Sequence, residues 1–392
     1  MDVPGFRAAG VAAGIKKPGV LDLALMVADR PATTAGVFTR NRVKAAPVLL
    51  CQRRLRQGMA QAILVNSGNA NCCTGPQGQL DAEELTREVA RLLQISPGLV
   101  LPASTGVIGQ PLPVAKIKAA LPELVGRLRP DGLTEAARAI LTTDTRPKTA
   151  FLQEELGGRK ITLAGMAKGA GMIHPQMATL LGFVFTDAAI SGPVLKQLLK
   201  QAVDRSFNRI TVDGDTSTND TVLIMASGQA GNPLMADWSA AASFGELLAR
   251  LLEDLARQIL ADGEGVTRVF RVVVEGAATA REARLAAVTV ATSPLVKTAM
   301  AGADVNWGRI MAALGRSGAS FDPERVAISF GPHLVVEEGR GRGEAAEAAA
   351  REVILTGPFT ITIRLGAGAF SDYWETCDLT ENYVRINASY RS

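Results

Sequence analysis

One stretch, Lys168 to Asp187, constrains the fold more than any other. Its second half, Leu180-Leu-Gly-Phe-Val-Phe185, is uninterrupted by charge and reads as a strand buried in a core. Its first half holds Gly169, Ala170 and Gly171 together with Lys168 and Pro175. Between the halves lies Ala178-Thr179, a hydroxyl residue just behind a small side chain at a loop-to-strand junction. Two readings are open. Thr is common in strands and can be inert there. Alternatively, the bond before it is the scissile bond of a self-cleaving precursor and Thr179 becomes a new N-terminus. A terminal Thr brings its own base, because an α-amino group titrates near about 7.7–8.0 and a useful fraction is neutral near pH 7.

What surrounds that stretch narrows the chemistry. The chain has 392 residues, enough for two domains or one large layered body. His174 and His333 are the two histidines, which argues against zinc hydrolysis and against a Ser-His-Asp triad. Cys51, Cys72, Cys73 and Cys377 make no disulfide framework for this length, and adjacent cysteines are no metal spacing. The net charge of +4 is dispersed, and the run Arg53-Arg54-Leu55-Arg56 lacks interleaved aromatics, so nucleic acid is not an expected partner. The N-terminus lacks a charged-then-apolar leader and no apolar run approaches a membrane span. A cytoplasmic enzyme with no membrane contact is expected.

Along the chain, Leu21–Val27, Gly36–Phe38 and Gln61–Val65 have strand character. The last runs into Asn66-Ser-Gly-Asn-Ala-Asn71, a set of turn formers expected to brace a tight turn. An amphipathic helix is expected over residues 81–95, with Asp81 as its cap and Glu84 three residues on. Ser104-Thr105-Gly106 is a turn, or a hydroxyl beside a backbone N–H, the pair needed to hold an oxyanion. Helices are expected over 133–141, from Ser191-Gly-Pro193 onward, over 244–260 and over 281–291, with strands over 269–274, 326–330, 359–365 and 383–386. Asp213 to Asp220 gathers carboxylates and hydroxyls, but it lacks the Gly and Glu spacing of an EF-hand and suits a self-bonded loop supporting a site. Glu264 sits between Gly263 and Gly265, as a solvated cap or as a carboxylate close to a ligand. The polar tail 387–392 looks, taken locally, like a frayed end. Strands, long helices and further strands fit an α/β body, an α+β layered sandwich with helix-covered sheets.

Taken together, a series of motifs is more specific than any one of them. Phe38–Pro47, Asn66–Asn71, Ser104–Gly109, Thr142–Thr145 and Lys168–Asp187 are followed by Asp213-Gly-Asp-Thr-Ser-Thr-Asn-Asp220, Ser293–Ala299, Asp304–Ile310 and Val384–Asn387. In this order they resemble the glutamate N-acetyltransferase/ornithine acetyltransferase family of arginine biosynthesis, over essentially the whole chain. The resemblance implies an N-terminal-nucleophile-like, self-processing fold. It implies a cut between Ala178 and Thr179, giving chains 1–178 and 179–392 that fold together. The reaction implied is ping-pong acetyl transfer from N2-acetyl-L-ornithine to L-glutamate through an acetyl ester on Thr179, with no metal or bound cofactor required. Thr105 and Gly106 match the family's oxyanion pair, while Thr142, Lys168, Thr179, Glu264, Asn387 and Ser392 match substrate-binding positions. An α2β2 heterotetramer is implied as well.

Four positions depart from the family's pattern. His174-Pro-Gln176 stands where Ala-Pro-Asn is usual, Cys73 where a small residue is usual, and Ser392 where the chain often ends in Thr. A passive role is expected for His174. Use of acetyl-CoA as a second donor is left open by these residues. The rival readings are a related self-cleaving amidohydrolase or aminopeptidase, a metal-dependent phosphotransfer enzyme using Asp213, Asp215 and Asp220, and a binding module that stays one chain.

Overall fold

The computed structural model describes residues 1–174 and 180–389, and these fall into two compact units. The first comprises Met1–Asn208 and Asp215–Ile259; the second comprises Arg209–Gly214 and the described part of 260–390.

In the first unit the chain runs through β1 (Phe6–Val11), β2 (Leu23–Phe38), α1 (Ala46–Arg54), β3 (Met59–Asn69), α2 (Gly75–Leu93) and β4 (Val100–Val107). It continues through α3 (Val114–Gly126), α4 (Leu133–Ala139), β5 (Lys148–Leu156), β6 (Arg159–Lys168), β7 (Leu181–Thr186) and α5 (Gly192–Arg205). After β8 (Ile210–Thr211), which belongs to the second unit, come β9 (Thr221–Ala226) and α6 (Trp238–Ala261). The sheet order is β4-β3-β2-β9-β7-β6-β5, with β1 paired to β2.

Alternation along the central strands sends side chains into two different cores. Leu23, Leu25, Val27, Ala62 and Leu64 pack with Leu85 and Val89 of α2 and with Ile117, Leu121 and Leu124 of α3. Ala24, Met26, Ile63 and Val65 point the other way, to Leu133 and Ala136 of α4 and to Phe183, Phe185 and Leu223. Both faces of this region of the sheet are therefore buried, as the apolar run at 180–185 requires. Every residue of β7 is buried. At Gly165 in β6 an added Cβ would lie 2.7 Å from Leu251 Cδ2, so the absent side chain lets α6 lie close to the sheet.

The second unit contains β10 (Val269–Ala277), α7 (Ala280–Ala291), α8 (Pro294–Ala301), α9 (Trp307–Gly315), β11 (Ala327–Phe330), β12 (His333–Glu337) and β13 (Arg340–Gly341). It ends with α10 (Glu344–Thr356), β14 (Phe359–Arg364), β15 (Phe370–Cys377) and α11 (Glu381–Ser389). Its sheet order is β13-β12-β11-β14-β10-β15-β8. Phe270, Val272, Val274, Ile328, Phe330, Ile361, Ile363 and Trp374 form one face, which packs on Ala283, Ala287 and Val290 of α7 and on Ile354 of α10. The alternate residues Arg271, Glu275, Arg364 and Glu375 form ion pairs on the other face.

Several expected elements shift. The strand expected over Leu21–Val27 begins at Leu23 and joins Gly36–Phe38 in one long strand, β2, whose pairing with β3 is interrupted between Val27 and Ala32. The helix expected from Asp81 begins at Gly75. Asp81 lies inside it, buried, accepting a hydrogen bond from Gln77 Nε2 at 2.7 Å instead of capping. The helix expected over 244–260 begins at Trp238.

The expected strand at 383–386 is helix α11. Val384 and Ile386 are strand-favouring residues, but the chain has left the sheet at Cys377 and an isolated strand would have no partner for its backbone. The Thr380 hydroxyl instead accepts the Tyr383 N–H at 3.4 Å in the manner of an N-cap, and Glu381 supplies an acid in the first turn.

Candidate active site

The corner where β3 and β4 end is held in an unusual backbone conformation. The strands run parallel with Ser67 opposite Thr105 and Gly68 opposite Gly106, and the register breaks between Gly68 and Asn69. Gly106 has φ +130°, and a Cβ there would lie 2.3 Å from the Gly68 carbonyl carbon. No side chain fits. The expected turn is thus the last part of a strand, distorted by a bulge that takes backbone groups off the ladder. Asparagines brace it, as their sequence suggested. Asn66 Nδ2 donates to Asn69 O (2.9 Å), Asn69 Nδ2 to Pro111 O (3.0 Å) and Asn71 Nδ2 to Gly78 O (2.8 Å), while Ser104 Oγ donates to Asn66 Oδ1 (2.6 Å). Thr105 is buried and its neighbour Gly106 half-buried. A hydroxyl beside a fixed backbone N–H is suited to an oxyanion.

A second cluster forms around Asp144, and here the structure brings together Thr142 and Lys168. Asp144 Oδ2 accepts the Thr142 N–H at 3.1 Å and lies 3.8 Å from Lys168 Nζ. Asp144 Oδ1 accepts Lys148 Nζ at 2.5 Å and the Gly169 N–H at 2.7 Å. Burial on its own would raise the Asp144 pKa, but the Lys168 and Lys148 ammonium groups, with these hydrogen bonds, outweigh it and leave the carboxyl at about 2. Lys16 joins the cluster through Nζ to Leu141 O (2.9 Å), and its pKa is lowered by burial against the pull of Asp22 and Asp144. Lys16, Lys148 and Lys168 thus bring three ammonium groups to the neighbourhood of Asp144, a setting that suits an anionic ligand. Sequence reasoning named Thr142 and Lys168 but not Asp144 or Lys148. Asp144 lay inside the Thr142–Thr145 motif without a role of its own, and no helix made its spacing of four from Lys148 meaningful.

The Asp213–Asp220 block does form a self-bonded loop. Asn219 N–H donates to Ser217 Oγ (3.1 Å), Thr218 Oγ1 to Asn219 Oδ1 (2.7 Å) and Thr39 Oγ1 to Ser217 O (2.7 Å). It also reaches outward. Asn219 Nδ2 donates to Ala70 O (2.6 Å) and to Ser104 O (2.8 Å), and Asp220 Oδ1 accepts the Leu180 N–H (3.0 Å). Among the described residues no group of three or more His, Cys, Asp or Glu is arranged to hold a metal ion. Burial lowers the pKa of His174, with Asp215 partly offsetting it, so its imidazole is neutral near pH 7.

In the second unit, Glu264 is buried and accepts a hydrogen bond from Asn387 Nδ2 at 2.8 Å. Two sequence-predicted residues therefore meet on one contact. Gly265 makes this possible: it has φ +71°, and a Cβ there would lie 2.5 Å from Tyr383 N. Its carbonyl accepts from Thr380 Oγ1 at 2.7 Å, docking the start of α11 against the Glu264 loop. Ala178, Thr179 and Ser392 lie outside the described residues. Leu180, which follows Thr179, is buried.

The model of the ArgJ family matches residues 7–392. The chain is 50% identical over 395 residues to the arginine biosynthesis bifunctional protein ArgJ of Geobacter sulfurreducens, covering all of both chains. It is 50% identical over 391 residues to that of Symbiobacterium thermophilum, covering 99% of this chain and 97% of that one. Among solved structures, a chain of the arginine biosynthesis bifunctional protein from Bacillus halodurans is 44% identical, with TM-score 0.50. The match takes in 98% of that chain but 53% of this one.

Proposed function

We infer the activity from one premise: the chain belongs to the ArgJ family. It is an acetyltransferase of arginine biosynthesis, moving the acetyl group of N2-acetyl-L-ornithine to L-glutamate. Full-length similarity to relatives named for arginine biosynthesis is the observation that carries this.

For the mechanism we propose that the chain cuts itself between Ala178 and Thr179, on an N-terminal-nucleophile-like fold. Such a cut would fall between β6 and β7, adjacent strands of one sheet, so both pieces would stay paired. It would leave two pieces of comparable length, and a solved relative whose whole chain matches about half of this one supports that reading. Thr179 Oγ then attacks the acetyl carbonyl, its own amine taking the proton. The Thr105 hydroxyl and Gly106 N–H stabilise the oxyanion, ornithine leaves, and glutamate takes the acetyl group from the ester. The Lys168 ammonium and the nearby Thr142 suit a substrate carboxylate, and Glu264, oriented by Asn387, suits an ammonium group. Ser392 is assigned to the same substrate contacts.

No metal or bound cofactor takes part in these steps. The relatives are named bifunctional; the second use proposed here is acetyl-CoA as an alternative donor to the same threonine. An α2β2 assembly in the cytoplasm completes the reading, and no described helix is long and apolar enough to cross a membrane.

The test is intact mass and turnover of the purified protein beside Thr179→Ala. Two fragments with Thr at the new N-terminus, and glutamate-dependent acetyl transfer, are expected of the wild type. The variant should remain one inactive chain. An unbroken wild-type chain that still transfers acetyl groups would overturn the terminal-amine mechanism.

A further inference from the structure

Asp220 has an unusual environment for a carboxyl group. It is 1% exposed. Its Oδ1 accepts the Leu180 N–H at 3.0 Å, while its Oδ2 is sealed from solvent and has no well-formed hydrogen bond among the described residues. An ionised carboxylate offers about four acceptor sites, and burying it with one of them used is costly. Burial raises its pKa well above the ordinary range, outweighing the opposite pull of the Leu180 N–H, the Thr39 hydroxyl, the Lys168 ammonium and the Ser217 hydroxyl that face it. The Leu180 carbonyl is held as well, by the Thr221 N–H at 3.1 Å. The preceding residue, Asn219, binds the carbonyl of Ser104, which immediately precedes Thr105.

We propose that Asn219 and Asp220 form a brace that holds the chain on either side of the reaction, Asp220 through the Leu180 N–H and Asn219 through the Ser104 carbonyl. Asp220 fixes the residue that follows Thr179, and Asn219 fixes the residue that precedes Thr105. Two consecutive residues at the entry to β9 thus hold Leu180 and Ser104, the chain neighbours of the two proposed reacting groups. Both are positioning residues. The inference rests on the proposed roles of Thr179, Thr105 and Gly106.

The experiment compares the wild-type full chain with Asp220→Asn and Asp220→Ala. It reads self-cleavage by intact mass, kcat and KM for acetylornithine and glutamate, and Tm between pH 5 and pH 8. Asp220→Asn keeps the acceptor and a neutral group, so cleavage persists and kcat stays within about threefold, since a displacement approaching 1 Å would cost about 10²-fold. Its Tm relative to wild type rises from pH 5 to pH 8. The reason is that a folded-state pKa above the unfolded one costs the wild type increasing stability as pH climbs past about 4, where the unfolded carboxyl ionises. Asp220→Ala loses kcat by about 10²-fold with KM little changed. If Asp220→Ala does not fold, rescue by Asp220→Asn together with its pH-dependent Tm gain still carries the proposal.

The proposal is overturned if Asp220→Asn loses as much kcat as Asp220→Ala, or if its Tm gain is absent or shrinks toward pH 8. It is equally overturned if Asp220→Ala is merely less stable with kcat intact. A wild type that neither cleaves nor transfers acetyl would instead sink the parent reading.

Discussion

The two units solve the same packing problem differently. In the first, alternate residues of β2 and β3 enter two separate apolar cores, so neither face of the sheet there meets solvent. In the second, β10, β14 and β15 put Val, Ile, Phe and Trp on one face and paired charges on the other. The candidate site residues follow their units. Thr105, Gly106, Thr142 and Lys168 are held by bulged strands, asparagine braces and a buried carboxylate, with several contacts fixing each corner. Asn387 lies on α11, no residue of which is buried, and reaches Glu264 through one side-chain hydrogen bond. Acyl transfer needs donors placed to a fraction of an ångström, and the first unit supplies that kind of rigidity. The second holds its candidate residues through a single side-chain hydrogen bond on an exposed helix.

Substitutions at matched glycines test that contrast most strongly. Gly106→Ala would push a Cβ to 2.3 Å from the Gly68 backbone from a φ that disfavours side chains. The corner must move, and loss of one oxyanion donor costs about 10²–10³ in kcat. Steady-state kinetics with saturating acetylornithine checks this, and near-normal kcat would remove Gly106 from the oxyanion role.

Asp144→Asn comes next. It removes the buried carboxylate that pairs with both Lys148 and Lys168, at a cost of about 3–5 kcal/mol in unfolding free energy. The sign with pH follows from a folded-state pKa of about 2, below the unfolded value. The wild-type stabilisation is present above about pH 4 and is lost as pH falls toward 2, so the deficit of the variant should shrink over that interval. Acid titrations of the two proteins measure it.

These residues also mark how far the sequence was legible. The buried strand at 180–185, the helix starting at Ser191-Gly-Pro193 and the strand pattern of 359–365 carry strong local periodicity, and the structure has them. Some residues singled out as site candidates also lie together: Thr142 and Lys168 share Asp144, and Glu264 accepts a hydrogen bond from Asn387. What escaped depends on tertiary context. Asp144 and Lys148 matter because the chain folds Gly169 and Lys168 back onto them, which spacing does not encode. Val384 and Ile386 have local β preference, and α11 is settled instead by the Thr380 cap and by the absence of a strand partner. Asp220 looked like one more polar residue in a loop until its neighbour Leu180 was in view.

On the second unit the expected effects are smaller. Gly265→Ala would place a Cβ 2.5 Å from Tyr383 N and displace the start of α11. Asn387→Ala would remove the hydrogen bond to Glu264 directly. Both should raise KM by roughly tenfold, the equivalent of one lost hydrogen bond, with kcat little changed. A Gly265→Ala enzyme that loses kcat as heavily as Gly106→Ala would break the comparison, because the α11 corner would then share in placing the reacting atoms.

The smallest effect belongs to the charged face of the second sheet. Arg364 Nε lies 3.1 Å from Glu275 Oε2, but the side chains are 64% and 45% exposed. Water and salt screen such a pair, and holding two long side chains together costs conformational freedom. Glu275→Gln should therefore shift Tm by no more than about 2 °C, and raising the salt concentration should change the wild type and the variant alike. The contrast with Asp144→Asn is instructive because both substitutions remove one carboxylate from a Lys or Arg partner. What separates them is burial: Asp144 has no exposed side-chain surface, so its lysines have no water to turn to. A large, salt-sensitive loss at Glu275 would mean that this charged face is covered in the working protein, as an interface between copies would cover it.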